Sequence, residues 1–356
     1  MNLRRHKTTP QQVTVMLSIT IIIGVYLVTT SVTKREDFNF LTTTAVPREE
    51  RIKIIKWKRN QTLLSPWENS ILTDSERIYF HETTGRDSVN LRQLCAVESA
   101  AKENPKRSIQ LFFQTDYVNL TDTPNSPLGS IMKYYPNIVV ILINASDYFA
   151  NTPLEGWYLR GVWRRSPYRT EHFSDYIRIL TLHKGGGMYM DLDFVTLKTL
   201  DPKIFQDFVP EEDKGVLTGS SFHFHRDHPI IRKMITYLAS SYHPEEWTYS
   251  GPAMFQSIVL KYCRKKLPKP THPALLCPDV KIMPRKYLYP YKFADWKEFF
   301  RNDVPRNGDK TLKSYAVHMY NKLSKNEPVL VGSNQIYSRI ARIHCPLTYA
   351  HAVDSF

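Results

Sequence analysis

No Gly-x-Gly-x-x-Gly stretch and no Walker loop occurs in the 356 residues, which argues against a Rossmann dinucleotide site and a P-loop phosphate site. Cysteine is scarce: Cys95, Cys263, Cys277 and Cys345 are the full set. None of them accompanies the histidines of residues 223–228, so no known zinc-ligand pattern is present. The net charge is +14 and the pI about 9.4, yet the basic residues are scattered, not gathered on a helix among aromatics. A nucleic-acid partner is therefore not expected; anionic lipid or a phosphate-bearing ligand accounts for the charge more simply. What the sequence does have is apolar content, 42%, enough for one large core or two ordinary ones.

Residues 13–32 carry no charge over 20 positions, long enough to cross about 30 Å of hydrocarbon as a helix. Arg4, Arg5 and Lys7 precede this run, whereas Lys34 and Arg35 after it are offset by Glu36 and Asp37. The positive-inside rule then gives a cytosolic tail (1–12), a signal-anchor (13–32) and a type II topology with the bulk of the chain lumenal. The run is long for a cleaved signal peptide. Residues 33–75, polar and charged, read as a stem, and 76–356 as the folded domain. Acceptor sequons at Asn60, Asn119 and Asn144 agree with a lumenal side. There the even cysteine count predicts two disulfides. The short separation of Cys263 and Cys277 favours that pair, leaving Cys95 with Cys345.

Residues 173–200 organise the domain. Phe173, Ile177 and Leu180 follow helical spacing, and Tyr176, Ile179 and Leu182 make the cylinder apolar all round, as in a helix packed inside a domain. On it, Asp175 and Arg178 share a face at i,i+3 and must be paired with each other or with another charge. Gly185, Gly186 and Gly187 follow; one glycine ends a helix, and the others permit close backbone approach. Residues 188–197 read as a strand that sets Asp191 and Asp193 on one face and Leu192 on the other. Two adjacent acids repel unless a cation lies between them or one is protonated, so the pattern predicts a divalent metal. Around this unit, strands at 78–83, 108–113 and 138–143 alternate with helices at 91–104 and 131–135. That order predicts an α/β fold with a mostly parallel sheet flanked by helices and a ligand crevice at the strand carboxyl ends. Trp157, Tyr158 and Trp163 with Arg160, Arg164 and Arg165 suit either stacking on a ligand or packing in a loop.

Ser174-Asp175-x-x-Arg178 followed by Gly186-Gly187-x-Tyr189-x-Asp191-x-Asp193 resembles the core of retaining GT-A glycosyltransferases. With Cys95-Ala-Val-Glu-Ser-Ala-Ala101, Gly251-Pro252, Tyr289-Pro290, Asp295-Trp296 and residues 316–322, the chain is similar over residues 78–350 to the Golgi α-1,4-glycosyltransferases. That family includes globotriaosylceramide synthase and the α-1,4-N-acetylglucosaminyltransferase. The resemblance implies a GT-A fold behind one transmembrane helix in the Golgi membrane, and Mn²⁺ or Mg²⁺ with a UDP-sugar donor. It implies transfer in α-1,4 linkage to the terminal sugar of a glycosphingolipid or glycoprotein glycan, and it is compatible with a homodimer. It places Asp191, Asp193 and His318 on the metal, Asp175, Arg178, Tyr189 and Asp191 on the donor, and Gly251, Pro252 and Trp296 on the acceptor side. Arg178, Asp191 and Asp193 would carry the chemistry, Arg178 neutralising charge as the bond breaks. His223, His225, Asp227 and His228 fall in a loop or on the acceptor side of the family pattern, not at a metal. Leu192 stands where close relatives have threonine. Two other classes compete. The Asp-x-Asp-Phe-Val segment also fits dehalogenase-type phosphatases, but no convincing later acidic pair completes that site. A non-catalytic metal-dependent lectin is the other, and an EF-hand is excluded by Val195 and Thr196.

Overall fold

The computed structural model describes residues 52–56, 76–123, 126–266, 277, 279–305 and 308–356. Residues 13–32 and the Asn60 sequon lie outside them. Among the described residues no helix is long and apolar enough to cross a membrane. The chain divides into units 1–48 and 49–356, and all the described residues belong to the second.

Its nine-stranded sheet has the spatial order β1, β4, β3, β2, β5, β9, β7, β10. The strands are β1 (Lys53–Lys56), β2 (Arg77–Glu82), β3 (Ser108–Phe113), β4 (Ile138–Leu142), β5 (Gly187–Met190), β7 (Phe208–Asp213), β8 (Val216–Leu217, paired with β7), β9 (Ser221–Phe224) and β10 (Lys281–Met283). β6 (Phe194–Thr196) and β11 (Ala316–His318) form a separate antiparallel pair. The half from β1 to β5 is parallel throughout, and β9 then runs antiparallel to both β5 and β7. β1 falls within the stretch read as a stem and pairs with β4 at the sheet edge.

Why these segments are strands is plain from their alternation. Ile78 and Phe80, Ile109 and Leu111, Ile138 and Val140, and Met188 and Met190 enter one core. Tyr79, Phe112, Val139 and Tyr189, their neighbours in the chain, enter the core on the opposite face. Strands covered on both sides lose the polar alternation of exposed sheets and read as continuous apolar runs. α1 (Leu91–Glu103) covers the first face and α2 (Leu128–Tyr134) packs with it. The second face is covered by α3 (Arg169–Gly185), α4 (Pro229–Ser240) and α5 (Met254–Lys266). α3 begins four residues before Phe173 and ends where Gly186 and Gly187 take φ of 62° and 110°, values that favour glycine.

The chain runs from β2 outward through β3 to β4 and then returns to the other side of β2 as β5. At such a reversal the connections on either side of the gap leave in opposite directions, so a crevice opens at the carboxyl ends of β2 and β5.

α1 is the tie between distant segments. Asn90 and Gln93 form its capping box. Cys95 is bonded to Cys345 and Cys263 to Cys277, the expected pairing. Glu98, buried, accepts the N–H groups of Leu347 and Thr348 at 2.9 and 2.7 Å and so caps the short helix Pro346–Ala350. Ser99 Oγ accepts the Thr196 N–H at 3.0 Å and holds β6. The Cys95–Cys345 bridge spans 250 residues. Replacing both cysteines with alanine should lower stability by about 2–5 kcal/mol, measured by chemical denaturation of the oxidised protein and the variant.

Candidate active site

The crevice is a cavity of about 760 Å³. β2 delivers His81 and Glu82 to it. Burial, reinforced by the charge of Arg178, lowers His81 to a pKa of about 3, so the ring is neutral. Its Nε2 lies 3.3 Å from Thr181 Oγ1. Glu82 accepts the N–H groups of Thr84 and Arg86, both at 3.1 Å, which curls the loop after β2 along the rim.

α3 brings Ser174, Asp175 and Arg178 to the floor. Arg178 Nη1 donates to Gly219 O at 2.8 Å and lies 3.2 Å from Asp191 Oδ1. Its Nη2 donates to Ser174 Oγ at 2.8 Å and lies 3.4 Å from Asp175 Oδ1. The guanidinium rests 4.6 Å above the Tyr189 ring, and the Tyr189 hydroxyl donates to Asp191 Oδ1 at 2.5 Å. The i,i+3 pair is therefore real, and it extends to a third charge. Burial pushes Asp175 up to about 6, with Arg178 and the Ser250 hydroxyl pulling the other way.

The acidic triplet departs from the expected geometry. Residues 188–197 are not one strand: β5 stops at Met190 and β6 starts at Phe194 in a different sheet. The Asp191 N–H donates to Ser220 O at 2.8 Å and Asp191 O accepts the Phe194 N–H at 3.2 Å, which makes residues 191–194 a turn. Since period-two alternation is lost in a turn, Leu192 does not point away; it lines the cavity beside both aspartates. Asp193 is held from the far end of the chain, its Oδ2 accepting the Asn321 N–H at 2.8 Å and its Oδ1 lying 3.2 Å from His318 Nε2. β11 puts His318 there by pairing with β6, residue 318 opposite 194. Asp191, Asp193 and His318 each offer a ligand atom, all within 4.8 Å of one another. Burial raises Asp191 despite Arg178. For Asp193 burial acts in the same sense, but His318 and the Asn321 N–H outweigh it and hold the carboxyl low. In return Asp193 raises His318 against the effect of burial.

Gly251 and Pro252 line the cleft, in a turn (Tyr249–Ala253) packed on α3. A Cβ on Gly251 would stand 2.6 Å from Asp175 Oδ2, so any side chain there must displace that carboxylate. Trp296 does not line the cleft; it packs edge-on against Phe300, 5.8 Å between centroids, and Phe293 from the same 3₁₀ segment takes the position at the rim. The Trp157 group resolves as packing: Trp157 stacks on Tyr176 at 3.7 Å and on Trp163 at 5.5 Å, outside the cavity. His223, His225, Asp227 and His228 also lie outside it. Asp207, His225 and His228 do approach within 4.8 Å. But His228 Nδ1 accepts the Ile230 N–H at 3.1 Å as the cap of α4, which leaves the proton on its other nitrogen. Asp207 is in turn taken up by His225, 3.0 Å away. The Asn119 and Asn144 side chains accept N–H groups two residues on, Asn144 capping a short helix from an exposed position. Glu212 and Trp247 also line the cleft, and no motif marks them in the sequence; Lys322, the last residue of the 316–322 stretch, lines it too. Glu212 sits in the acidic run Glu211-Glu212-Asp213, and no spacing distinguishes it.

The cleft brings carboxylates and an imidazole together beside an arginine, the arrangement that the resemblance to DXD glycosyltransferases implies. The family described as glycosyltransferase sugar-binding region containing DXD motif matches residues 91–210, and the alpha 1,4-glycosyltransferase conserved region matches residues 223–352. The relatives that match over most of the chain are α-1,4-glycosyltransferases by name. The chain is 28% identical over 273 residues to the lactosylceramide 4-alpha-galactosyltransferase of Mus musculus, covering 76% of this chain and 75% of that one. Identity to the alpha-1,4-N-acetylglucosaminyltransferase of Homo sapiens is 23% over 283 residues, 79% and 82% of the two chains. Among solved structures, the PaToxG glycosyltransferase superposes with a TM-score of 0.41 at 18% identity, covering 53% of this chain and 70% of that one. GlyE of Streptococcus pneumoniae TIGR4 gives 0.41 at 12% identity, covering 78% and 62%.

Two outcomes test this geometry. Gly251→Ala should lower kcat/KM about 10- to 100-fold by displacing Asp175, with circular dichroism unchanged. The second concerns pH. With its pKa at about 6, Asp175 is charged at pH 7.5 and takes up a proton as the pH falls. Because only the anion pairs with Arg178, kcat/KM should drop about tenfold between pH 7.5 and 5, as a pH–rate profile would show.

Proposed function

We propose that the protein is a GT-A-type, retaining enzyme that moves a hexose or N-acetylhexosamine from a UDP-sugar to the terminal sugar of a glycosphingolipid, in α-1,4 linkage. The observation that carries this reading is the convergence of Asp191, Asp193 and His318, within 4.8 Å, next to the Asp175–Arg178 pair. Two carboxylates and an imidazole suit Mn²⁺ or Mg²⁺. A divalent cation held there would neutralise the departing diphosphate.

The chain's own residues do the rest. Asp175 accepts hydrogen bonds from hydroxyls of the donor sugar. Arg178, fixed by Ser174 and Gly219, presents positive charge close to the bond that breaks, and needs no rearrangement to do so. Tyr189 holds Asp191 in place through its hydroxyl. The loop after β2 and the neutral His81 line the nucleotide end. The names of the relatives favour a glycolipid acceptor; anchoring in the Golgi membrane through residues 13–32 is part of the same proposal and suits that acceptor, and transfer to glycoprotein glycans is the variant with the same chemistry.

The test offers UDP-galactose, UDP-N-acetylgalactosamine and UDP-N-acetylglucosamine with Mn²⁺ and lactosylceramide to the full-length protein in detergent. One donor should turn over. EDTA should abolish transfer and restored Mn²⁺ recover it, while Asp193→Asn should reduce kcat at least 100-fold. Turnover unaffected by EDTA or by Asp193→Asn would overturn the reading.

A further inference from the structure

The carboxylates around the cleft are taken, with one exception. Asp175 and Asp191 pair with Arg178, Asp193 with His318, Glu171 with Lys322, and Glu82 with its own loop. Glu212 makes no hydrogen bond or ion pair among the described residues, although it lines the cavity and is partly buried. Its aim has a structural cause. Glu211 pairs with Leu217 and Asp213 with Val216, so the register shifts across Glu212 and the strand bulges at that residue. Bulges of this kind turn a side chain out of the regular alternation. Burial raises the Glu212 carboxyl, and the charge of His318 acts the other way.

A second cavity of about 460 Å³ adjoins the first at this point. Glu212 and Pro252 line both, and beyond them the walls are mostly apolar, with Val216, Leu217, Ala253 and Leu260. Its volume lies in the range of small-molecule sites, roughly 300–1,000 Å³.

Resting on the transferase reading above, we propose that Glu212 is the acceptor-positioning residue and that the second cavity takes the penultimate sugar of the acceptor. The carboxylate accepts a hydrogen bond from a hydroxyl of the terminal sugar. The chain of sugars then passes over Pro252, where the apolar faces of the next ring meet Val216, which is exposed, and Leu260. An unpaired carboxylate at the junction of two cavities is what a polyhydroxylated ligand bridging them would use.

The experiment measures acceptor and donor KM for the full-length protein with methyl β-galactoside and methyl β-lactoside, using the donor that turns over. Glu212→Gln should raise both acceptor KM values tenfold or more and move the donor KM less than twofold. Ser257→Trp, which fills the second cavity from α5, should raise the lactoside KM tenfold or more and the galactoside KM less than threefold. A Glu212→Gln effect on donor KM instead, or a Ser257→Trp effect equal for the two acceptors or absent, would overturn the proposal alone. Hydrolysis of the UDP-sugar by the wild type with transfer to neither saccharide would overturn the acceptor class as well.

Discussion

Everything in the cleft is arranged around one guanidinium. Asp175 and Asp191 approach Arg178 from two elements, a helix and the turn after a strand, at 3.4 and 3.2 Å. Without it the two acids would face each other across a poorly solvated floor, and one would have to take up a proton. With it, α3 and β5 are locked to each other and to the Gly219 carbonyl. Removing one partner from such a buried pair costs about 3–5 kcal/mol, because the remaining charge is stranded. Structure and chemistry thus ask the same thing of Arg178: it must be immobile to hold the fold, and an immobile cation is the one that stabilises a developing charge without reorganising.

The sequence made the parallel half of the fold legible because both faces of each strand are covered, so the apolar runs at 78–80, 109–113 and 138–142 stand out against polar loops. The Asp175–Arg178 pairing was legible for a similar reason: charges on an all-apolar helix have nowhere else to go. The break at Asp191 was not. A run such as Met-Tyr-Met-Asp-Leu-Asp-Phe-Val keeps the period-two alternation of a strand throughout, and what accompanies its end is a long-range bond from Asp191 N–H to Ser220, which no local pattern encodes. Trp296 and Phe293 show the same limit in reverse. Both are aromatic and three residues apart, and only the docking of their 3₁₀ segment decides that one packs and the other faces the cleft.

Placing the acidic triplet in a turn between two sheets changes how the position between the aspartates is to be read. On a strand Leu192 would have been a core residue on the far face, free to vary with packing alone. In the turn it lines the cavity with the carboxylates, so the leucine, where the resemblance would put threonine, sets an apolar surface in place of a hydroxyl at the cavity wall. The charge of the site is untouched by that exchange. On the proposed transferase reading, the exchange would bear instead on selectivity among sugars that differ in a single hydroxyl or acetamido group.

The pairing of β11 with β6 has a consequence in time. Asp191 and Asp193 leave the ribosome well over a hundred residues before His318, a delay of roughly 6–25 s at ordinary rates of about 5–20 residues per second. During that interval the parallel half, with Arg178 and its carboxylates, has its own strands and helices and can begin to fold. The third ligand of the triad arrives only with β11, and the cysteine that ties α1 to the end of the chain arrives later still. A chain cut short before β11 would therefore hold the two aspartates without His318 beside them. On the proposed reading, the order of the elements would make synthesis through β11 a condition for activity.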